Sequence, residues 1–437
     1  MNSKTFTEDL YQKMVDEEDA RACKAIDESA CKVVPGNFVL TIVSNFFSKL
    51  GDAVSNPKIV LPWIMETISA PLFLLGFLVP IRESGSMIPQ LVIASFIRKM
   101  EIRKWVWVLG SVLQAGSMAG MGFVAWTMEG AAGGWMIIAL LIIFSLSRGL
   151  SSVAAKDVLG KTIPKSQRGK VTGWSASAAG LITLAYGIVL VFTPTDDFTP
   201  AVYGLMLVSA ALFWVAGAFV YAKIKEFPGE TSGGANGFLE AIKRVNILRT
   251  DKPFRKFVIT RSLLLCSALT APYYVVLAQD KLGSPAYLLG LFVIADGAAG
   301  LISGPIWGKF ADVSSRNVMI IAAALTAILG ISVFMIDSLQ SEWLSLMWVL
   351  PLVYFFLSIA HQGVRVGRKT YVVDLAEGNK RTDYVSVSNT LIGVILLLMG
   401  LTGTLATFLS ISQIILVLSM LGVIGAWMAK TLPDVEK

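Results

Sequence analysis

Hydrocarbon offers no partner for a backbone N–H or C=O, so a chain entering it repeatedly must satisfy those groups within itself. This sequence meets that condition twelve times. Apolar runs of roughly twenty residues, the helix length that crosses a core of about 30 Å, recur along it. The first six are Phe38–Leu61, Pro71–Phe96, Trp105–Met128, Gly134–Val153, Val171–Phe192 and Ala201–Ala222. The second six are Phe254–Leu277, Tyr287–Phe310, Val318–Ile336, Trp343–Ala360, Tyr384–Phe408 and Ile411–Ala429. Only 15% of residues are charged, against about 25% in soluble proteins. The fold class this predicts is an all-α membrane protein.

The two sets of six are related. A constant step of 213 residues carries Arg316 onto Arg103, Asp296 onto Glu83, Lys369 onto Lys156 and Arg381 onto Arg168. One offset joining four charged positions without a gap marks two copies of one unit. The expected organisation is a tail over 1–36, a six-helix bundle over 37–223 and a linker over 224–252. A pseudo-symmetric six-helix bundle over 253–430 and a tail over 431–437 follow.

The formal net charge of +7 raises the question of nucleic acid. Its distribution answers otherwise: the even-to-odd loops hold most of the Lys and Arg outside the spans, whereas the opposite side carries only Lys58 and Lys281. That asymmetry is the positive-inside pattern. It places both termini in the cytoplasm and makes the bilayer, not nucleic acid, the partner. No cleavable signal fits residues 1–36, which read as a solvated tail. Cys23, Cys31 and Cys266 are too few and scattered for a disulfide framework. In the linker, Phe238–Leu248 reads as a short amphipathic surface helix.

Ionisable residues at bilayer depth are costly, and their usual reason is function. Asn45, Lys49, Asp52 and Asn56 follow i, i+4, i+7 and i+11 on helix 1, which keeps them on one face. Lys49 and Asp52, a turn apart, are positioned to neutralise each other. Helix 2 holds Arg82 and Glu83 between Pro80 and Pro89. Helix 8 holds Asp296 with no base within two turns of its own helix, followed by Gly300, Gly304 and Gly308. Arg148, near the expected loop end of helix 4, and Arg261, near the start of helix 7, are each open to a snorkelling or a pathway role. His361, the one histidine, stands where Arg148 stands in the first copy, with Arg365, Arg368 and Lys369 after it. Small residues over Gly173–Gly180 open helix 5 for close packing.

Several chemistries are absent. One histidine and three scattered cysteines make no zinc site. No phosphate-binding loop and no nucleophile elbow is present. No cofactor is expected, and the chain reads as a gradient-driven carrier and not as an enzyme.

Twelve helices in a 6+6 arrangement, a long central loop and a repeated charged loop resemble the major facilitator superfamily. That family's loop signature is G-x3-D-x2-G-[RK]-[RK]. Gly308, Asp312 and Arg316 match it, with Ser315 and Asn317 at two further positions. In the first copy Arg103 and Lys104 fit, while Ser95 and Lys99 replace the expected Gly and Asp. The resemblance implies a gating role for Arg103, Gly308, Asp312 and Arg316. Arg148 resembles the family's helix-4 arginine, which is associated with proton coupling, and Pro164, Arg168 and Gly169 resemble its P-x3-R-G stretch. Helix 5 lacks the proline of the family's drug antiporters. The resemblance implies a monomeric transporter of the cell membrane, with its substrate between two rocking bundles. A small polar or anionic solute is then moved with a proton, or with sodium, by alternating access. Glu83, Asp296 or Asp52 takes the proton, and Lys49 or Arg82 balances charge or holds an anionic group. Two other readings remain open at this point. One is an efflux antiporter with an apolar, aromatic cavity. The other is a non-transporting sensor or lipid-handling protein without buried charge.

Overall fold

A computed structural model describes residues 32–97, 99–164, 167–193, 199–229, 231, 246–375 and 380–435. Every expected span is helical, and the breaks are where the sequence offers a reason. Span 1 is Val34–Val54 followed, after a break, by Val60–Thr67. Pro57 has no N–H to continue the ladder. The Asn56 carbonyl instead accepts from Ile59, Val60 and Leu61, and its Oδ1 accepts from the Lys58 N–H at 2.9 Å. Span 7 is broken in the same place in the second copy, as Lys252–Leu263, Cys266–Leu269 and Ala271–Leu282.

Among the described residues, ten helical stretches are long and apolar enough to cross a membrane. One of them, Ala286–Ser338, is two spans joined at Ser314, whose backbone is extended. The interrupted span 1 is not among the ten, so the count of twelve stands. The charged loop expected between spans 8 and 9 is therefore this single break within helix. Span 4 runs Gly130–Thr162, well beyond Val153, so Lys156 is helical and Arg148 lies about four turns from the helix end. The amphipathic helix expected at Phe238–Leu248 falls mainly on residues outside those described; Ile247–Thr250 form one helical turn.

Spans 1 to 6 pack together, as do spans 7 to 12, and the bundles meet along spans 2 and 11 and spans 5 and 8. Where they meet, glycine lets backbones touch. On the face opposite the basic loops, a Cβ on Gly76 would lie 2.4 Å from the Gly403 Cα. One on Gly187 would lie 2.9 Å from the Ile294 nitrogen and 3.1 Å from the Gly290 oxygen. Toward the basic face the same helices part. Gly297 still packs on Leu184, and Gly180 on Leu301, but a Cβ on Gly173, Gly304 or Gly308 would meet nothing within 4 Å. The bundles thus form a V, sealed at the far face and open on the basic side. Exposed Trp126 and Trp343 at one rim and Trp105 and Trp427 at the other form the aromatic girdles of a bilayer-embedded surface.

Gly403→Val would place a side chain 2.1 Å from the Phe73 carbonyl oxygen. It is expected to force the far-face ends of spans 2 and 11 apart. Spin labels at Met128→Cys and Glu342→Cys should separate by several ångströms. Gly36→Val, which has open space, should leave that distance unchanged.

Candidate functional site

The arms of the V enclose a cavity of about 200 Å³. The first bundle contributes the polar residues Asp52, Asn56, Lys58, Arg82, Glu83 and Arg148 to its lining. The second bundle supplies Ser267, Asp296, Tyr354, Ser358, His361 and Arg365. Three carboxylates and four basic side chains therefore converge at bilayer depth, where an unpaired or unhydrated charge is strongly disfavoured.

Asp52 organises the first-bundle side. Its Oδ1 accepts from Arg82 Nη2 at 3.0 Å and from Arg148 Nη1 at 2.5 Å. The expected Lys49–Asp52 neutralisation does not occur: guanidinium groups from spans 2 and 4 reach the carboxylate first. Arg82 also lies 5.0 Å above the Phe144 ring, a cation–π contact that helps desolvate it. Arg148 does not snorkel, because span 4 continues past it and leaves the side chain in the cleft. Lys49 and Asn45 line a separate chamber inside the first bundle, together with Ser111 and Gln114.

Asp296 anchors the opposite wall. It accepts from Ser358 Oγ at 2.9 Å on Oδ1, and from Asn56 Nδ2 at 3.1 Å on Oδ2. The second bond crosses between the bundles. The absence of a basic partner on its own helix therefore did not leave this carboxylate alone. His361 sits a turn beyond Ser358 and shares a hydrogen bond of 3.1 Å between Nδ1 and Ser267 Oγ. Glu83 projects into the cavity with no hydrogen-bond or ion-pair partner among the described residues. It and Asp296 are the carboxylates that attract the Lys58 ammonium.

Arg261 stays out of the cavity. It is buried within the second bundle and donates to Ser388 Oγ and Asn389 Oδ1, both at 2.8 Å, which ties span 7 to span 11. The four positions expected to gate lie at the basic rim. Arg103 Nη1 is 3.2 Å from Asp157 Oδ2, and its N–H donates to Glu226, whose Oε1 also accepts from Lys161 Nζ at 2.6 Å. Arg316 binds Asp434 at 3.3 Å and the Leu432 carbonyl at 3.1 Å. Each arginine thus holds the segment that follows the last helix of its own bundle. Gly308 has open space around it, and Asp312 is exposed.

The sequence reading missed Lys58, assigned to the far-face loops, and Arg365 as a cavity residue. Pro57 was the signal for Lys58: the break it causes returns the next residue to the bilayer centre. For span 10 the signal was periodic, since Tyr354, Ser358, His361 and Arg365 follow i, i+4, i+7 and i+11, one polar face.

The Major Facilitator Superfamily model matches residues 41–400 of the chain. No curated protein matches its sequence. Among solved structures it is similar to the inward-open xylose transporter XylE from E. coli, at 12% identity and a TM-score of 0.67, covering 92% of this chain and 97% of that one. It is similar to the nucleoside transporter NupG, at 11% identity and a TM-score of 0.65, covering 91% and 98%. A POT family transporter in complex with 5-aminolevulinic acid matches at 10% identity and a TM-score of 0.66, covering 90% and 95%. At such identities the likeness is one of fold.

Asp52→Asn leaves two guanidinium groups facing each other without their common anion. Thermal unfolding in detergent should show a loss of about 1–3 kcal/mol. Arg148→Gln should cost less, because Arg82 keeps Asp52 neutralised.

Proposed function

The chain belongs to the major facilitator superfamily of membrane transporters, and from that premise we propose that it moves a small polar solute, bearing an anionic group, together with a proton. The observation that carries this reading is the cavity of mixed charge between the bundles, with Asp296 bonded across the cleft to Asn56. A transported acid or zwitterion finds cationic groups at Lys58 and Arg365 and a carboxylate at Glu83. An efflux site for lipophilic molecules calls for an apolar, aromatic wall, and this lining is mostly charged and hydroxylated. A sensor or lipid-handling protein has no use for seven charges at this depth.

The coupling argument rests on Asp296. Ionised, it accepts from both Asn56 and Ser358 and is attracted to Lys58. Protonated, it loses the attraction and one acceptor site, so the bond across the cleft weakens. Proton loading thereby alters the contact between the bundles, which is what coupling requires. With both termini cytoplasmic, the V opens inward. The second access state then closes the basic side by bringing the inner halves of spans 5 and 8 together. Gly297, Leu301, Gly304 and Gly308 follow i, i+4, i+7 and i+11 on span 8. The first two already touch span 5, and the last two continue the same face toward it.

The ligand is first sought by thermal shift across acids, amino acids, sugars and nucleosides, since binding to the native state raises its stability. In proteoliposomes, an inward acid gradient should then drive accumulation of that ligand. Asp296→Asn is expected to abolish accumulation while sparing exchange of internal for external ligand. Full pH-driven accumulation by the Glu83→Gln, Asp296→Asn double variant would overturn the coupling assignment. A dependence on sodium in place of the acid gradient would overturn the choice of ion.

Gly304→Leu fills the face that must close and is expected to slow turnover at least tenfold. Ligand-induced thermal stabilisation should survive, because the cavity is untouched.

A further inference from the structure

The chamber holding Lys49 has a volume of about 220 Å³, similar to that of the central cavity, and is walled by spans 1, 3, 4 and 6. It lies inside the first bundle and not between the two. Its walls contain polar groups that the protein does not satisfy. Ser111 is 1% exposed, yet its Oγ has no hydrogen-bond partner among the described residues. A serine within a helix ordinarily donates to the carbonyl four residues back. For Ser111 that carbonyl belongs to Trp107, and it already accepts from Ser151 Oγ at 3.3 Å. Ser151 in turn accepts from Gln114 Nε2 at 3.2 Å. Ser48 Oγ, on the facing helix, is also buried without a partner among the described residues. Lys49 has no ion pair among the described residues, because its neighbour Asp52 is occupied by Arg82 and Arg148.

Buried donors left unmade are costly, and native proteins rarely tolerate them together. Here Lys49, Ser48 and Ser111 line one space, and none of the three side-chain polar groups has a partner among the described residues. Of the charged residues around it, Lys49 and Arg148 outweigh Asp52 by one positive charge. The geometry points to a second binding site in this chamber, distinct from the cleft, for a small oxyanion: a carboxylate or a phosphate held by Lys49 Nζ and the Ser111 and Ser48 hydroxyls. Asp52 and Arg148 line both spaces. An anion beside Lys49 therefore competes with Asp52 for Arg148, and its occupancy is felt in the central cavity without a shared ligand.

The test is a thermal-shift titration of the full chain in detergent with sodium acetate and, separately, sodium phosphate. Ionic strength is held constant with sodium chloride, whose anion has no oxygen acceptors. The site predicts a saturable rise in melting temperature with at least one of the two anions. A response to acetate alone identifies a carboxylate site, and a response to phosphate alone identifies a phosphate site. Lys49→Gln should weaken the apparent affinity about tenfold or more, in line with the loss of one charge-assisted contact. Ser111→Ala should weaken it several-fold, and Lys49→Arg should retain most of it, which guards against Lys49→Gln merely misfolding. Lys58→Gln, in the central cavity, should leave it unchanged. The proposal fails if neither anion gives a saturable rise, which would leave water alone in the chamber. It fails equally if the rise survives Lys49→Gln and disappears in Lys58→Gln, which would put the anion in the cleft. Neither result bears on transport, because the readout is binding.

Discussion

One carboxylate sets the electrostatics of the bilayer centre. Asp52 neutralises parts of two guanidinium groups at once, and with it the first bundle can bring span 2 and span 4 against span 1 at a depth where bare cations are not tolerated. The remaining charges follow from that choice. Because Asp52 is committed, Lys49 is left to its own chamber. Because Arg82 and Arg148 are committed, Glu83 and Lys58 remain free to face the cleft. The cavity is thus divided into a paired half that holds the helices and an unpaired half available to a solute.

The pseudo-repeat places unlike side chains at matching positions. Glu83 and Asp296 occupy matching positions, yet one projects freely and the other is held by Asn56 and Ser358. Arg148 and His361 also match, yet one is a permanent cation bound to a carboxylate and the other a ring bound to a hydroxyl. The break in span 1 has its counterpart in span 7, but only the first copy places a lysine just after it. Matching backbones carry unlike chemistry, and the asymmetry is concentrated on the cavity walls.

Much of this was legible beforehand. Apolar length gave the twelve spans, and the offset of 213 residues gave the two bundles. The rule that buried charge is rarely idle singled out Asp52, Asn56, Arg82, Glu83, Arg148, Asp296 and His361, which share the central cavity. What periodicity could not supply was the identity of the neighbour. A stripe on helix 1 places Lys49 and Asp52 on one face but does not reveal that two arginines from other helices reach the carboxylate. The same blindness left Arg261 ambiguous until Ser388 and Asn389 appeared beside it. Span 4 was read too short because Lys156 and Lys161 end an apolar run without ending a helix: hydropathy marks where lipid stops, and backbone hydrogen bonding does not stop with it.

The far-face closure is made where glycine backbones of opposing helices lie directly against one another, Gly76 on Gly403 and Gly187 on Gly290. The glycine contacts themselves are held by short-range dispersion, whereas Glu66 and Asp280, one carboxylate from each bundle, repel one another on the same face. Dispersion falls off steeply with separation, so these contacts hold only while the backbones touch, and a Cβ at any of the four glycines would pry the helices apart.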